Sequence, residues 1–399
     1  MIPFARPDIS GSEAFAAKEV LLSGMLTGGS VVPAFEKKVA EISGADRVVC
    51  YDSCTAALEM ALRILGIGEG DEVITTPMTY TATADVIRNV GATIVLCDLK
   101  PGRFEMDYDK MGELVTSRTK AIIPVDYGGV PCDYPHICRI LSQTASKFNP
   151  ENALQNSIGR PAVIADAAHS FGAALNGDPV GTLADFTCFS FHALKSVTTG
   201  GEGGALAWVD FDGVDNERIE RSLRLLGDHG QTVKNIRGTH GREWEYDIEM
   251  FGQNHIMTDV DAAAGLAQIE RLSEICLKRF AITERYYEML PSNVMPGLLH
   301  LLNTHTSALH LFPVRIPGAT EAQRDHVFAR MLDAGICCNV HYKPLPLFTA
   351  YIRAGFNIND YPVSHATYKN LLTLPYHTHM TLEDVDFVCE TLGKAVKEL

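Results

Sequence analysis

An α/β fold, with a mostly parallel central sheet covered by helices on both faces, is what this 399-residue chain predicts, and three observations carry the prediction. Short apolar runs of strand length recur at Glu72 to Thr76, Thr93 to Leu99, Ala121 to Val125, Ala162 to Ala165, Phe186 to Phe191 and Gly204 to Trp208. Stretches with helical spacing lie among them, near Thr55 to Leu65, Thr81 to Val90 and Pro135 to Ser142. The chain is also too long for one compact core, so two domains are expected, residues 1–245 as the large one and 246–399 as a smaller α/β C-terminal one.

Taken in order, the first informative segment runs Val49-Cys50-Tyr51-Asp52-Ser53-Cys54-Thr55-Ala56, a strand that breaks at small hydroxyl residues and enters a helix. Ser53 and Thr55 are good N-cap types, and the free N–H groups and positive dipole end of such a helix suit a phosphate. Gly66-Ile67-Gly68-Glu69-Gly70 imitates a dinucleotide fingerprint, but it follows a helix and precedes a strand, the reverse of the required order, and reads as a C-cap and turn. Thr76-Pro77-Met78-Thr79-Tyr80 is a second strand-to-helix turn and brings the Tyr80 ring to the same sheet edge. The polar stretch Ser142 to Gly159 is left unassigned. Leu226 to Glu249, without an apolar period, reads as a long functional loop. Beyond it a long helical pattern runs from Asp259 to Leu290, then a strand from Leu309 to Ile316, a helix near Glu321 to Ala334 capped by Thr320, and a final helix from Leu382.

Two segments carry chemistry. The strand Ala162 to Ala165 runs straight into Asp166, and a buried carboxylate is expensive unless it meets a cation. The strand Phe186 to Phe191 leads to Lys195 and a glycine-rich turn, where desolvation would free an amine to attack an aldehyde. Both requirements are met by pyridoxal 5'-phosphate (PLP): its aldehyde takes the lysine, and its protonated pyridine nitrogen takes the carboxylate. Opposite charges about 4 Å apart gain about 4 kcal/mol at an effective dielectric of about 20, enough to hold a pyridinium at neutral pH.

With these segments in this order the chain resembles the DegT/DnrJ/EryC1/StrS family of PLP-dependent sugar aminotransferases, within fold type I. The likeness rests on Ser53 to Leu58, Thr76 to Ala84, Asp166 to His169 and Ser190 to Gly204, and extends to Leu26-Thr27-Gly28-Gly29, Phe35-Glu36, Gly252-Gln253-Asn254 and His341-Tyr342-Lys343-Pro344. It implies that Lys195 carries the cofactor as a Schiff base and shuttles the proton, that Asp166 holds the pyridine nitrogen, and that His169 lies near the ring hydroxyl. It further implies that Tyr80 stacks on the ring, that Thr55, the Cys54 backbone and Ser190 cradle the phosphate, and that Asn254 reaches the phosphate from the neighbouring subunit of a homodimer with shared sites. Cys54 stands where the family usually has glycine, and Gly200-Gly201 lengthens its turn by one residue.

The formal charge of −15 argues against nucleic acid and anionic membrane as partners, so an anionic substrate needs a local cluster of cations. No apolar run approaches a membrane span and the start lacks a signal-peptide core, which points to the cytoplasm. The ten cysteines fit no disulfide framework; Cys132, His136 and Cys138 are wrongly spaced for zinc, and His377-Thr378-His379 reads as a polar surface turn without a third ligand, so no metal is expected. The resemblance implies transfer of an amino group from glutamate to a nucleotide-linked keto sugar, a 4-keto-6-deoxy hexose. A PLP-dependent sugar dehydratase is the alternative, which Lys195 counts against, since such relatives carry His there. A non-catalytic PLP-binding regulatory protein is another.

Overall fold

A computed structural model describes residues 1–232 and 245–399. Seven strands form the main sheet: β1 (Arg47–Tyr51), β2 (Glu72–Thr75), β3 (Thr93–Leu96), β4 (Thr119–Ile123), β5 (Ala162–Asp166), β6 (Phe186–Ser190) and β7 (Gly204–Trp208). Their spatial order is β1-β7-β6-β5-β4-β2-β3, and β7 alone runs in the direction opposite to the other six. Strands β4, β5, β6 and β7 are buried at every residue, as expected of a sheet covered on both faces, which is why they read as unbroken apolar runs.

Helices Cys54–Ile64 and Ala82–Asn89 pack on one face; Val31–Ser43 and Tyr134–Gln143 contribute to the core on the other. The Ser53 hydroxyl accepts from the Ala56 N–H at 3.1 Å, which fixes where the first of these helices begins. A second, three-stranded antiparallel sheet of Met295–Pro296, Phe312–Arg315 and Leu371–Leu374 has its own core, where Tyr286, Phe312 and Val388 are buried against one another's neighbours. Thr320 caps the helix Glu321–Asp333 through a reciprocal pair with Gln323, as its sequence position predicts.

Several elements depart from the sequence reading. The helical pattern from Asp259 to Leu290 is two helices, Asp259–Glu270 and Leu272–Met289, broken at Arg271, whose guanidinium is drawn to Glu13 and Asp8 at 2.7 Å each. The strand read from Leu309 begins only at Phe312, because residues 308–311 turn to pair with Gly128 and Gly129. The unassigned stretch after Ser142 holds a short 3₁₀ turn, Ala145–Lys147, and the helix Ala153–Ile158. Two N-terminal helices, Gly11–Ser23 and Val31–Ser43, and the helix Asn216–Leu226 were not anticipated. Residues 233–244 of the loop read from Leu226 to Glu249 lie outside the described residues; its described flanks pair Gln231 with Ile248 and Asp228 with Asn254.

His377 is not on the surface. Only 3% of it is exposed, since the chain's start lies over it: its Nε2 sits 3.1 Å from the Pro3 carbonyl, and the Tyr376 N–H donates to Phe4 at 3.0 Å.

Candidate functional site

The carboxyl ends of β5 and β6 open onto a cavity of about 840 Å³. Seven of the eight site residues read from the sequence line it: Cys54, Thr55, Tyr80, Asp166, His169, Ser190 and Lys195. Asn254 does not line the cavity of its own chain; it is exposed on a loop whose backbone bridges to Asp228.

Lys195 lies in the turn between β6 and β7. That turn is closed by backbone bonds from Phe191 to Gly203 at 2.8 Å and from Ala193 to Gly201 at 2.9 Å, so the extra glycine is absorbed within a paired loop. A Cβ on Gly203 would stand 2.2 Å from the Thr199 hydroxyl, so the tight return needs glycine there. Lys195 is half-buried, and its amine has no hydrogen bond or ion pair among the described residues. Burial pushes the ammonium down to about 8, against the pull of Cys54, Asp166 and Glu202.

Asp166 ends β5 and is buried. Its Oδ2 accepts from the Thr83 hydroxyl at 2.7 Å, with Thr79 in turn 2.7 Å from Thr83, and its Oδ1 accepts from the Ala168 N–H at 3.3 Å. No cation pairs with it among the described residues, and burial raises its pKa, opposed by Thr83, Ala168 and the Lys195 charge. A buried carboxylate in want of a positive partner fits a pyridinium nitrogen.

His169 accepts the Gly128 N–H at Nδ1, at 3.1 Å, so its ring proton sits on Nε2, which faces the Tyr342 hydroxyl at 3.3 Å. Burial, aided by the Lys195 and His341 charges, holds its pKa well below the usual imidazole range, so it is a neutral donor. Tyr80 keeps 63% of its surface exposed at the cavity and is free to cover a flat ring.

The start of helix Cys54–Ile64 borders the cavity, and its free backbone N–H groups fit an anion. A Cβ on Gly204 would lie 2.3 Å from the Cys54 nitrogen, so glycine lets β7 pass against this turn. Cys54 turns its thiol inward to the Cys188 carbonyl at 3.5 Å, which leaves Thr55 and Ser190 to line the space in front of the helix. These features fit a ring with a phosphate at one end and a cationic nitrogen at the other.

Sequence reasoning missed His310, which also lines the cavity, and took in Thr83, Glu202 and Tyr342 only as parts of longer segments. No local pattern marks His310, because its turn reaches the cavity by pairing with Gly128 and Gly129, far away in the chain.

Residues 7–393 match the DegT/DnrJ/EryC1/StrS aminotransferase family. The chain belongs to this family. As a DegT/DnrJ/EryC1/StrS member it is a PLP-dependent aminotransferase of fold type I, and the cavity geometry agrees with that cofactor. The spore coat polysaccharide biosynthesis protein SpsC of Bacillus subtilis (strain 168) is 34% identical over 402 residues, covering 99% of this chain and 97% of SpsC. Spr1654 of Streptococcus pneumoniae, provisionally assigned as a sugar aminotransferase, matches in its PLP form with a TM-score of 0.95 at 38% identity, over 100% of this chain and 99% of that one. The sugar aminotransferase CalS13 of Micromonospora echinospora matches with a TM-score of 0.85 at 26% identity, over 99% and 100% of the two chains. Among the described residues no helix is long and apolar enough to cross a membrane.

Proposed function

We propose that this enzyme transfers an amino group from glutamate to the keto carbon of a nucleotide-linked sugar, a 4-keto-6-deoxy hexose, in the synthesis of amino sugars for a surface polysaccharide or glycoconjugate. The observation that carries the reading is the meeting, in one cavity, of a lysine amine pushed down to about 8 and a buried carboxylate, neither of them paired among the described residues. The cavity, at about 840 Å³, stands near the upper end of the roughly 300–1,000 Å³ of small-molecule sites, with room for a cofactor and a large second substrate. The name of the relative SpsC supports the polysaccharide setting.

PLP, when bound, supplies an electron sink for the bonds at the carbon that gains or loses the amine. Lys195 would hold the cofactor in the resting enzyme and would move the proton at that carbon. Asp166 holds a positive charge opposite it, and the Thr83 hydroxyl aims the carboxylate. His169 would offer its Nε2–H to the ring hydroxyl, and Tyr80 would cover the ring. Thr55, the Cys54 N–H and Ser190 take the phosphate, joined by Asn254 of a second subunit in a homodimer. Lys343, whose ammonium stands 4.9 Å from the Phe348 ring at the cavity, gives an anionic substrate a cation. All ten cysteines are free thiols, which suits a reducing cytoplasm.

The test is to incubate the purified protein with glutamate and a panel of nucleotide-linked keto sugars and to quantify 2-oxoglutarate. Release dependent on one of the sugars is expected. Release driven only by keto acids would contradict the reading.

A further inference from the structure

Leu309 has a left-handed backbone, φ 51°, which a leucine avoids and which persists only where its surroundings over-determine it. They do so here. Its carbonyl accepts from Arg279 Nη1 at 3.0 Å, and its N–H donates to the Ser307 hydroxyl at 3.1 Å. On either side, the Ala308 N–H donates to the Gly129 carbonyl at 2.9 Å and the His310 N–H to the Gly128 carbonyl at 3.0 Å. The Ser196 hydroxyl, next to Lys195, donates to the Ala308 carbonyl at 3.3 Å. Arg279 is itself buried and has no carboxylate partner among the described residues, an arrangement that does little for stability alone.

The residue this turn presents is His310. Its ring lines the cavity and meets the His169 ring at 4.4 Å between centroids, yet only 8% of the residue is exposed. Nδ1 is sealed and has no partner among the described residues, so the ring proton is better placed on Nε2, where a ligand can use it. Nε2 pairs with nothing among the described residues and is not sealed, so it opens to the cavity. Burial, then the nearby charges of His169, Lys195, Arg279 and His341, hold the ring neutral.

We propose that His310 is a substrate-binding residue whose Nε2–H donates a hydrogen bond to an uncharged oxygen of the keto sugar. The proposal rests on the reading of the protein as a keto-sugar aminotransferase. A neutral imidazole suits the hydroxyl and carbonyl oxygens of a sugar, whereas the carboxylates of glutamate are matched by cations.

The two half-reactions separate the alternatives. His310→Gln can place an amide N–H where Nε2 stands, and His310→Asn can place one only near Nδ1. Each variant and the wild type is loaded with PLP and treated with glutamate, following the cofactor's absorbance; each is also loaded with the amine form and treated with keto sugar, following the amino sugar formed. His310→Asn is expected to raise the sugar concentration for half-maximal rate on the order of tenfold, the equivalent of one lost hydrogen bond, with the glutamate half-reaction within about twofold of wild type. His310→Gln should stay near wild type in both. Equal behaviour of the two variants, or equal losses in the two half-reactions, would overturn the proposal. A wild type that completes the glutamate half-reaction but accepts no keto sugar would instead overturn the reading beneath it.

Discussion

The Lys195 amine stands half-buried with no bonding partner among the described residues, and burial pushes it down to about 8 from the ordinary 10.5 of an unfolded chain. Below pH 8 both forms are protonated and the folded state bears the whole desolvation cost. Between about 8 and 10.5 the folded chain releases its proton first, so the unfolded state binds more protons and stability from this group rises with pH. Lys195→Met should therefore stabilise the cofactor-free protein at pH 7, with the advantage shrinking as pH climbs through that window; denaturant titrations at a series of pH values measure it. A constant difference would mean the amine is solvated. Asp166→Asn should fold as well as the wild type, because the amide loses no cation in the free protein, but kcat should fall on the order of 10²- to 10³-fold, the rate equivalent of a few kcal/mol of charge pairing. Steady-state kinetics with saturating cofactor would reveal an unchanged kcat if the carboxylate were merely structural.

At the scale of elements, the start of helix Cys54–Ile64 joins stability to binding. Ser53→Ala removes its cap and should cost about 1 kcal/mol in unfolding. Gly204→Ala strikes the same turn from β7 through a contact of 2.3 Å to backbone, so PLP retention in equilibrium dialysis should fall further in that variant than in Ser53→Ala. The opposite order would remove this turn from the phosphate site. The strands and this cap were legible because local sequence dictates them: β7 matches its reading from Gly204 to Trp208, and Ser53 caps as its position suggests. Helix Gly11–Ser23 had a usable signal that went unread, the Ser10 to Glu13 capping box. The break at Arg271 had none, since it follows from carboxylates some 260 positions away, Asp8 at a separation of 263 and Glu13 at 258. Likewise Asp166 and Lys195 announced themselves at strand ends, whereas His310 needed the turn at Leu309 to bring it to the cavity.

For the whole molecule, helix Asp259–Glu270 packs on Gly11–Ser23 and Val31–Ser43, and the Asp259 carboxylate accepts from the N–H groups of Gly29 at 2.6 Å and Val31 at 2.9 Å. A division into two domains falls better near Arg271 than at residue 245, and we offer that boundary as a proposal. Asn254 is exposed and does not line its own chain's cavity, which suits the proposed shared site. Refolding Lys195→Ala chains with chains crippled at Asn254 should then restore roughly a quarter of wild-type activity, since half of randomly paired dimers are mixed and one site in each is whole. If mixing restores nothing while the Asn254 variant alone is crippled, the sites are not shared.

The central claim is that Lys195 carries the cofactor, and the most direct measurement is reductive trapping. PLP-loaded protein is treated with borohydride, digested, and its peptides mapped by mass spectrometry. The account predicts a single pyridoxyl-phosphate addition, on Lys195 in the turn between β6 and β7, and none in Lys195→Ala. An adduct on another lysine, or no adduct on protein that has bound PLP, would contradict it.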